Sequence, residues 1–142
     1  MNNNLHLNHS TWYCKYHVVW IPKCRRKQLY AWLRPQLSEI FHELASQKGC
    51  IIEEGHMMDD HVHMLISIPP KYPVSSVIGY IKGKSAIYIA RNFNGRRRNF
   101  TGEHFWARGF YVSTVGIDEE TVREYIRNQE KDDRRVEQLR LV

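Results

Sequence analysis

The sequence has few cysteines and no apolar run long enough to span a membrane. Its three cysteines, Cys14, Cys24 and Cys50, are an odd number and form no C-x-x-C pair. This count argues against a disulfide framework or a zinc ribbon and fits a reducing cytosol. No signal peptide is visible, and no apolar stretch approaches the roughly 20 residues that a membrane-spanning helix needs. We therefore expect a soluble, intracellular protein.

Acidic residues are also scarce relative to basic ones. The chain has 15 Asp and Glu against 21 Lys and Arg, a net charge of +6, and its pI is about 9.3. Such a balance favours a polyanionic partner without saying which one. The 4 Trp, 8 Tyr and 5 Phe suit single-stranded nucleic acid, whose bases stack on aromatic rings. A chain of 142 residues is long enough for one domain with its own core.

Hydrophobic patterns predict the order β-α-β-β-α-β, followed by one more helix. The predicted segments are a strand over residues 11–20, a helix from Pro35 that Gly49 ends, strands over 50–58 and 61–68, a helix over 74–92, a strand over 105–115, and a last helix over 117–135 with Asp118 as its N-cap. This is the split βαβ, ferredoxin-like pattern of the α+β class. It predicts an antiparallel four-stranded sheet with two helices on one face.

Two other features each have two interpretations. Residues 1–10 are polar and rich in Asn, so they form either a loose tail or an arm that contacts a ligand. Gly79 and Gly83 stand four residues apart on one face of the second predicted helix. Glycine costs helix stability, so this pair predicts close packing against a neighbouring element or a ligand.

The third predicted strand begins with His61-Val62-His63, directly after two aspartates. Because side chains alternate along a strand, both imidazoles point to one face and Val62 to the other. If Val62, Met64 and Ile66 pack beneath the helices, the histidines lie on the open face. Two imidazoles beside carboxylates form half of a divalent-metal site. The alternative is a pair of partly exposed histidines without function.

Tyr125 and Gln129 are four residues apart in the last predicted helix and share a face. Alone, this tyrosine could simply anchor the helix. A phenol, with an unperturbed pKa of about 10, is a weak nucleophile without help. A divalent ion held by His61, His63 and the Gln129 amide oxygen would polarise a scissile phosphate. Together these residues predict attack of Tyr125 on phosphorus to form a phosphotyrosine, which conserves the bond energy for rejoining.

These residues resemble the HUH-superfamily single-tyrosine transposases of small bacterial insertion sequences, the TnpA type. An H-x-H pair alone is a weak motif, but the likeness runs over nearly the whole chain and keeps its order. The matching stretches are KYHVVWIPK at 15–23, DHVHMLISIPP at 60–70, VSSVIGYIKGKS at 74–85 and FWARGFYVSTVG at 105–116.

The resemblance implies an obligate homodimer that cuts and rejoins single-stranded DNA at the hairpin-bearing ends of a mobile element. Tyr125 would become attached to the 5′ side of the cut and leave a free 3′-OH. His61, His63 and Gln129 would hold Mg²⁺ or Mn²⁺. In the family the tyrosine helix can be exchanged between subunits, and Gly116 before it is a plausible hinge.

The same resemblance predicts one HUH transposase domain over residues 1–142. Its N-terminal arm, residues 1–10, would help to read bases beside the cleavage site. Residues 117–135 would be the catalytic-tyrosine helix and 136–142 a tail. The setting would be a bacterial or archaeal cytoplasm, with the protein at the nucleoid when it acts.

Basic side chains are candidates for phosphate contacts that do not depend on base sequence. The candidates are Arg25, Arg26, Lys27, Lys82, Lys84, Arg91, Arg96, Arg97 and Arg98. Any one of them could equally be an ordinary solvated charge.

Three other functions remain compatible with the sequence. RNA-recognition domains share the predicted topology, but they carry aromatic residues on two central strands, where histidines stand here. A domesticated relative that acts on chromosomal repeat hairpins would keep the same catalytic residues. A metal-dependent phosphodiesterase that uses water would not need Tyr125.

Overall fold

The computed structural model describes residues 5–7, 10–23, 29, 31–93, 105–116, 120, 124, 127 and 128. Its elements in chain order are β1 Leu5–Leu7, β2 Ser10–Trp12, β3 Lys15–Trp20, α1 Arg34–Gln47, β4 Ile51–Met57, β5 Val62–Ser67, α2 Val74–Phe93 and β6 Tyr111–Thr114. Within these described ranges, no helix combines the length and the apolarity needed to cross a membrane.

Four of the strands form one antiparallel sheet in the order β4-β5-β3-β6. Helix α1 connects β3 to β4, and α2 connects β5 to β6, which is the ferredoxin-like arrangement. β4 and β5 form a hairpin in which Met57 pairs with Val62 and the Met58 amide donates to the His61 carbonyl at 3.0 Å. The predicted α+β fold and the predicted turn at the two aspartates are therefore confirmed.

The start of the chain differs from the prediction. Residues 11–20 do not form one strand, because β2 ends at Trp12 and β3 begins at Lys15. β2 pairs instead with β1 in a separate two-stranded sheet. The aromatic and β-branched residues that favour strands run through both elements, so composition does not mark the break at Tyr13 and Cys14. Residues 5–7 are a strand and not part of a loose tail.

Helix α1 begins and ends as its sequence predicts. Pro35 lies in its first turn, where a missing amide hydrogen costs nothing. After the helix, Gly49 adopts φ +68°, the left-handed conformation that glycine allows. The Gly49 amide donates to the Ser46 carbonyl and the Cys50 amide to the Ala45 carbonyl, at 3.0 and 2.9 Å. This pair of bonds is a Schellman motif.

The core lies between the helices and one face of the sheet. On β5, Val62, Met64 and Ile66 are each at most 2% exposed, as are Val18 and Trp20 on β3. Because side chains alternate along strands, the residues between them point to the other face. This burial confirms the predicted orientation of β5, in which Val62, Met64 and Ile66 face the helices and His63 faces away from them.

Four aromatic rings form the centre of the core. Trp20, Phe41, Phe105 and Trp106 have ring centroids 4.7 to 6.2 Å apart, the range of favourable edge and tilted contacts. The indole Nε1 of Trp106 donates to Ser85 Oγ at 3.0 Å in a fully buried hydrogen bond. This bond matters because a buried donor without an acceptor costs stability.

Gly79 and Gly83 do not pack against a neighbouring element among the described residues, so that half of the prediction is wrong, while the alternative of a ligand beside them stays a prediction. A Cβ added at either position would meet no described atom within 4 Å. Both glycines line a cavity of about 350 Å³ between α2 and residues 106–110. The glycines therefore leave open space beside the helix.

The predicted last helix is described at only four positions. Glu120, Glu124, Arg127 and Asn128 are helical and exposed, as expected for the outer side of an amphipathic helix. The predicted N-cap Asp118 lies outside the described residues.

Candidate functional site

The two histidines of the H-x-H pair lie at the start of β5, on the face that the helices do not cover. His61 immediately precedes the strand, His63 is its second residue, and both are partly exposed. His61 Nδ1 lies 2.8 Å from Asp60 Oδ1, so Nδ1–H donates to the carboxylate. The Nε2 lone pair of His61 is then free for a ligand, since a hydrogen bond at one ring nitrogen fixes the role of the other.

Two further histidines lie around His63. His17 on β3 places its Nδ1 3.3 Å from His63 Nε2, with the ring centroids 5.4 Å apart. His56 on β4 is paired with His63 in the strand register, and those rings are 6.4 Å apart. We call His17, His56, His61 and His63 the histidine cluster.

The surroundings of His63 keep its imidazole neutral. Burial lowers the pKa of His63, and the nearby His17, His56 and His61 lower this pKa further. Only a neutral imidazole has a lone pair for a metal ion. His63 is therefore available as a ligand at neutral pH, with less competition from protons than an ordinary surface histidine meets.

Within the histidine cluster, His61 and His63 have the chemistry of part of a divalent-metal site, which is not complete within the described chain. Imidazole nitrogens bind transition metals well, and oxygen ligands extend the choice to Mn²⁺ and Mg²⁺. Among the described residues, no three His, Cys, Asp or Glu side chains are arranged to hold an ion. An ion bound to His61 and His63 would need a third ligand from outside the described residues or from the substrate.

Several predicted site residues lie outside the described residues and stay predictions. They are Tyr125, Gln129, Arg25, Arg26, Lys27, Arg96, Arg97 and Arg98.

The three described basic candidates have different surroundings. Lys82 is half-buried, and its Nζ donates to the Ala107 and Gly109 carbonyls at 2.8 and 2.7 Å. Burial lowers the pKa of Lys82. The Lys82 side chain therefore stabilises the segment before β6. Lys84 and Arg91 are exposed on α2. Contact with DNA stays a prediction for all three.

The open face of the two central strands, β3 and β5, carries no Phe, Tyr or Trp side chain. β3 presents His17 and Val19 there, and β5 presents His63 and Leu65. RNA-recognition domains need stacking rings at these positions. The observed face counts against that alternative.

His17 and His56 were not identified as site residues from the sequence. The sequence did indicate the orientation of His17. If Val18 and Trp20 point into the core, the alternation of side chains places His17 on the open face. Its contact with His63 depends on which strands pair and in which register, and a single strand does not reveal either.

Comparison with known proteins agrees with this fold. The family of IS200-like transposases matches residues 10–129 of the chain. A transposase for insertion sequence element IS200 from Salmonella typhimurium is 40% identical over 139 residues, which cover 98% of this chain and 91% of that protein.

Two solved structures share the fold. One, assigned as a transposase of Deinococcus radiodurans R1, aligns with a TM-score of 0.68 and 25% identity over 88% of this chain and 98% of that chain. The other is a REP-associated tyrosine transposase bound to a REP hairpin, with a TM-score of 0.56 and 14% identity over 78% of this chain and 61% of that chain. The second likeness concerns the fold alone.

The predicted resemblance to TnpA-type transposases is thus confirmed. Since the family match covers residues 10–129 and a relative 40% identical spans 98% of the chain, this protein belongs to the family of IS200-like transposases.

Proposed function

We propose that this transposase cleaves and rejoins single-stranded DNA at the hairpin-bearing ends of an insertion sequence. Tyr125 is the nucleophile, and His61, His63 and Gln129 hold Mg²⁺ or Mn²⁺. The observation that carries the proposal is the placement of His61 and His63 on the open face of the sheet, with His61 held by Asp60.

The described residues prepare the two imidazoles as ligands. Asp60 accepts the Nδ1 proton of His61 and so directs the Nε2 lone pair away from the carboxylate. The lowered pKa of His63 leaves that ring unprotonated at neutral pH. An ion bound there would stabilise the negative charge that develops on the phosphate in the transition state.

The covalent step conserves the number of phosphodiester bonds. The Tyr125 phenolic oxygen attacks phosphorus, and the bond from phosphorus to the 3′-oxygen breaks. The phenol loses its proton to solvent, and the departing 3′-oxygen takes up a proton. The products are a 5′-phosphotyrosine and a free 3′-OH. Attack of a 3′-OH on this phosphotyrosine reverses the step and rejoins DNA without ATP.

DNA hairpins are the proposed partners. The REP-associated transposase with the same fold is bound to a REP hairpin, and the net charge of +6 suits a polyanion. The 40% identity to an IS200 transposase supports element ends as the substrate over chromosomal repeats. Lys84 and Arg91, exposed on α2, are the described candidates for phosphate contact.

The proposed unit is a homodimer of single-domain chains. Residues 1–10 act as an arm beside the cleavage site, 117–135 as the tyrosine helix and 136–142 as a tail.

Replacement of Tyr125 tests the nucleophile. Wild type and Tyr125→Phe are incubated with labelled single-stranded hairpin oligonucleotides and Mn²⁺, and the products are separated on a denaturing gel. We expect a covalent protein–DNA adduct for wild type only, lost also in EDTA. The phenylalanine variant lacks only the hydroxyl oxygen, so folding is preserved. Cleavage by Tyr125→Phe would instead support a phosphodiesterase that uses water.

Replacement of His61 tests the metal site. We expect His61→Ala to abolish cleavage and leave hairpin binding unchanged in a gel-shift assay, because the proposed role of His61 is in chemistry. His42→Ala serves as control, since this histidine is exposed on α1. A large loss of hairpin binding in His61→Ala alone would make His61 a DNA contact instead.

A further inference from the structure

His17 is a member of the histidine cluster that the proposed mechanism does not use. Its Nδ1 lies 3.3 Å from Nε2 of His63, and the two rings are tilted by 56°. The contact runs diagonally between β3 and β5, since His17 is paired with Leu65 and His63 with Val19. Both strands are internal to the sheet. Hydrogen bonding on both sides therefore fixes the backbones from which these rings project.

We propose that His17 is a positioning residue for His63. The Nε2–H of His63 donates to Nδ1 of His17 and so holds His63 in the tautomer whose lone pair is on Nδ1. A neutral imidazole has one N–H and one lone pair, so an acceptor at one nitrogen assigns the lone pair to the other. Metal-binding histidines are held in this way by a partner at their second nitrogen. The inference rests on the proposed role of His63 as a metal ligand.

Each histidine of the H-x-H pair then has a hydrogen-bond partner at one of its ring nitrogens. Nδ1–H of His61 donates to the Asp60 carboxylate at 2.8 Å, and Nε2–H of His63 donates to His17. Each ring keeps one lone pair for an ion.

His56 provides a matched control. It is paired with His63 across β4 and β5, and the ring centroids are 6.4 Å apart, but no hydrogen bond joins these two described side chains. Its side chain is exposed. His56→Ala therefore removes an imidazole from the open face of the sheet but leaves the proposed hydrogen bond of His63 to His17 intact.

The first test reads the tautomer directly in metal-free protein. Long-range ¹⁵N–¹H correlation spectra report which nitrogen of His63 carries the proton in wild type, His17→Ala, His17→Asn and His56→Ala. We expect the Nε2–H tautomer in wild type and His56→Ala, and a mixture in His17→Ala. His17→Asn should keep the Nε2–H form, because its Oδ1 can stand near the position of the lost Nδ1. An Nδ1–H tautomer in wild type, or an unchanged tautomer in His17→Ala, would overturn the proposal.

The second test measures Mn²⁺ binding to DNA-free protein by electron paramagnetic resonance. We expect His17→Ala to weaken binding by roughly 10- to 100-fold, the usual cost of losing such a partner. His17→Asn should restore most of this loss, and His56→Ala should bind as wild type does. Thermal unfolding in EDTA shows whether His17→Ala is folded. If it is not folded, the proposal is judged from the His63 tautomer in wild type and from Mn²⁺ binding by His17→Asn.

His61→Ala in the same titration separates the two proposals. If His61→Ala weakens Mn²⁺ binding and His17→Ala does not, only the role of His17 is refuted. If neither substitution changes Mn²⁺ binding, the metal site is refuted, and the role of His17 with it.

Discussion

At the scale of single residues, Ser85 shows how a polar side chain is accommodated in the core. Ser85 is fully buried within α2, where a hydroxyl would normally reduce stability. Its Oγ accepts from Trp106 Nε1 at 3.0 Å and donates to the Lys82 carbonyl at 3.1 Å. The Ser85 hydroxyl therefore uses both its acceptor and its donor capacity. This explains why a serine is tolerated in this apolar setting.

We expect Ser85→Ala to lower the free energy of unfolding by roughly 1–3 kcal/mol, because it leaves the Trp106 N–H buried without an acceptor. Chemical denaturation monitored by circular dichroism measures this change. In a Trp106→Phe background the same substitution should cost much less, since the donor is gone. Ser75→Ala, exposed on the same helix, is the control. An equal cost in both backgrounds would show that the hydrogen bond contributes nothing.

At the scale of elements, the sequence predicted the parts that depend on local pattern. The end of α1 could be predicted because Gly49 follows a helical pattern. The inward face of β5 could be predicted because Val62, Met64 and Ile66 are apolar at every second position, even though the outward Leu65 is apolar too. The H-x-H pair could be placed on the open face for the same reason.

Features that depend on which segments pair or pack together could not be predicted. The contact of His17 with His63 requires the register of β3 with β5. The break between β2 and β3 reflects the pairing of β2 with β1, and nothing in the local composition marks it. The open space beside Gly79 depends on the path of residues 106–110.

Helix α2 carries two glycines that the described fold does not require. We expect Gly79→Ala and Gly83→Ala each to raise the free energy of unfolding by about 0.5–1 kcal/mol, because alanine favours the helix and its Cβ meets no described atom. Thermal and chemical denaturation measure the change. Gly49→Ala is the opposing control and should destabilise, since φ is +68° there. A loss of stability at position 79 or 83 would contradict the open space found beside α2.

At the scale of the whole molecule, the two faces of the sheet have separate roles. One face packs on the helices and provides the core. The other presents the histidine cluster between β4, β5 and β3. Substitutions in the cluster can therefore change chemistry with little effect on the core, which makes mixed assemblies of variant chains a practical experiment.

The exchange of the tyrosine helix between subunits, which the family resemblance implies, predicts complementation between two inactive variants. When His61→Ala and Tyr125→Phe chains are unfolded together and refolded as mixed dimers, one site combines an intact histidine pair with the partner's intact tyrosine. We expect covalent adducts to reappear in the mixture, on the His61→Ala chain alone. Because one of the two sites in a mixed dimer is intact, each mixed dimer should have about half of the activity of a wild-type dimer. Size tags on the chains identify the labelled one on a denaturing gel. If each tyrosine served its own subunit, the mixture would stay inactive.

The β4–β5 hairpin also has a consequence for the order in which the cluster forms. His56, His61 and His63 are joined by a short turn, whereas His17 and His63 are 46 residues apart in the chain. Short loops close at a lower entropic cost than long ones, and contacts between distant residues slow folding. We therefore expect His56, His61 and His63 to come together first during refolding, and His17 to join them when β3 pairs with β5.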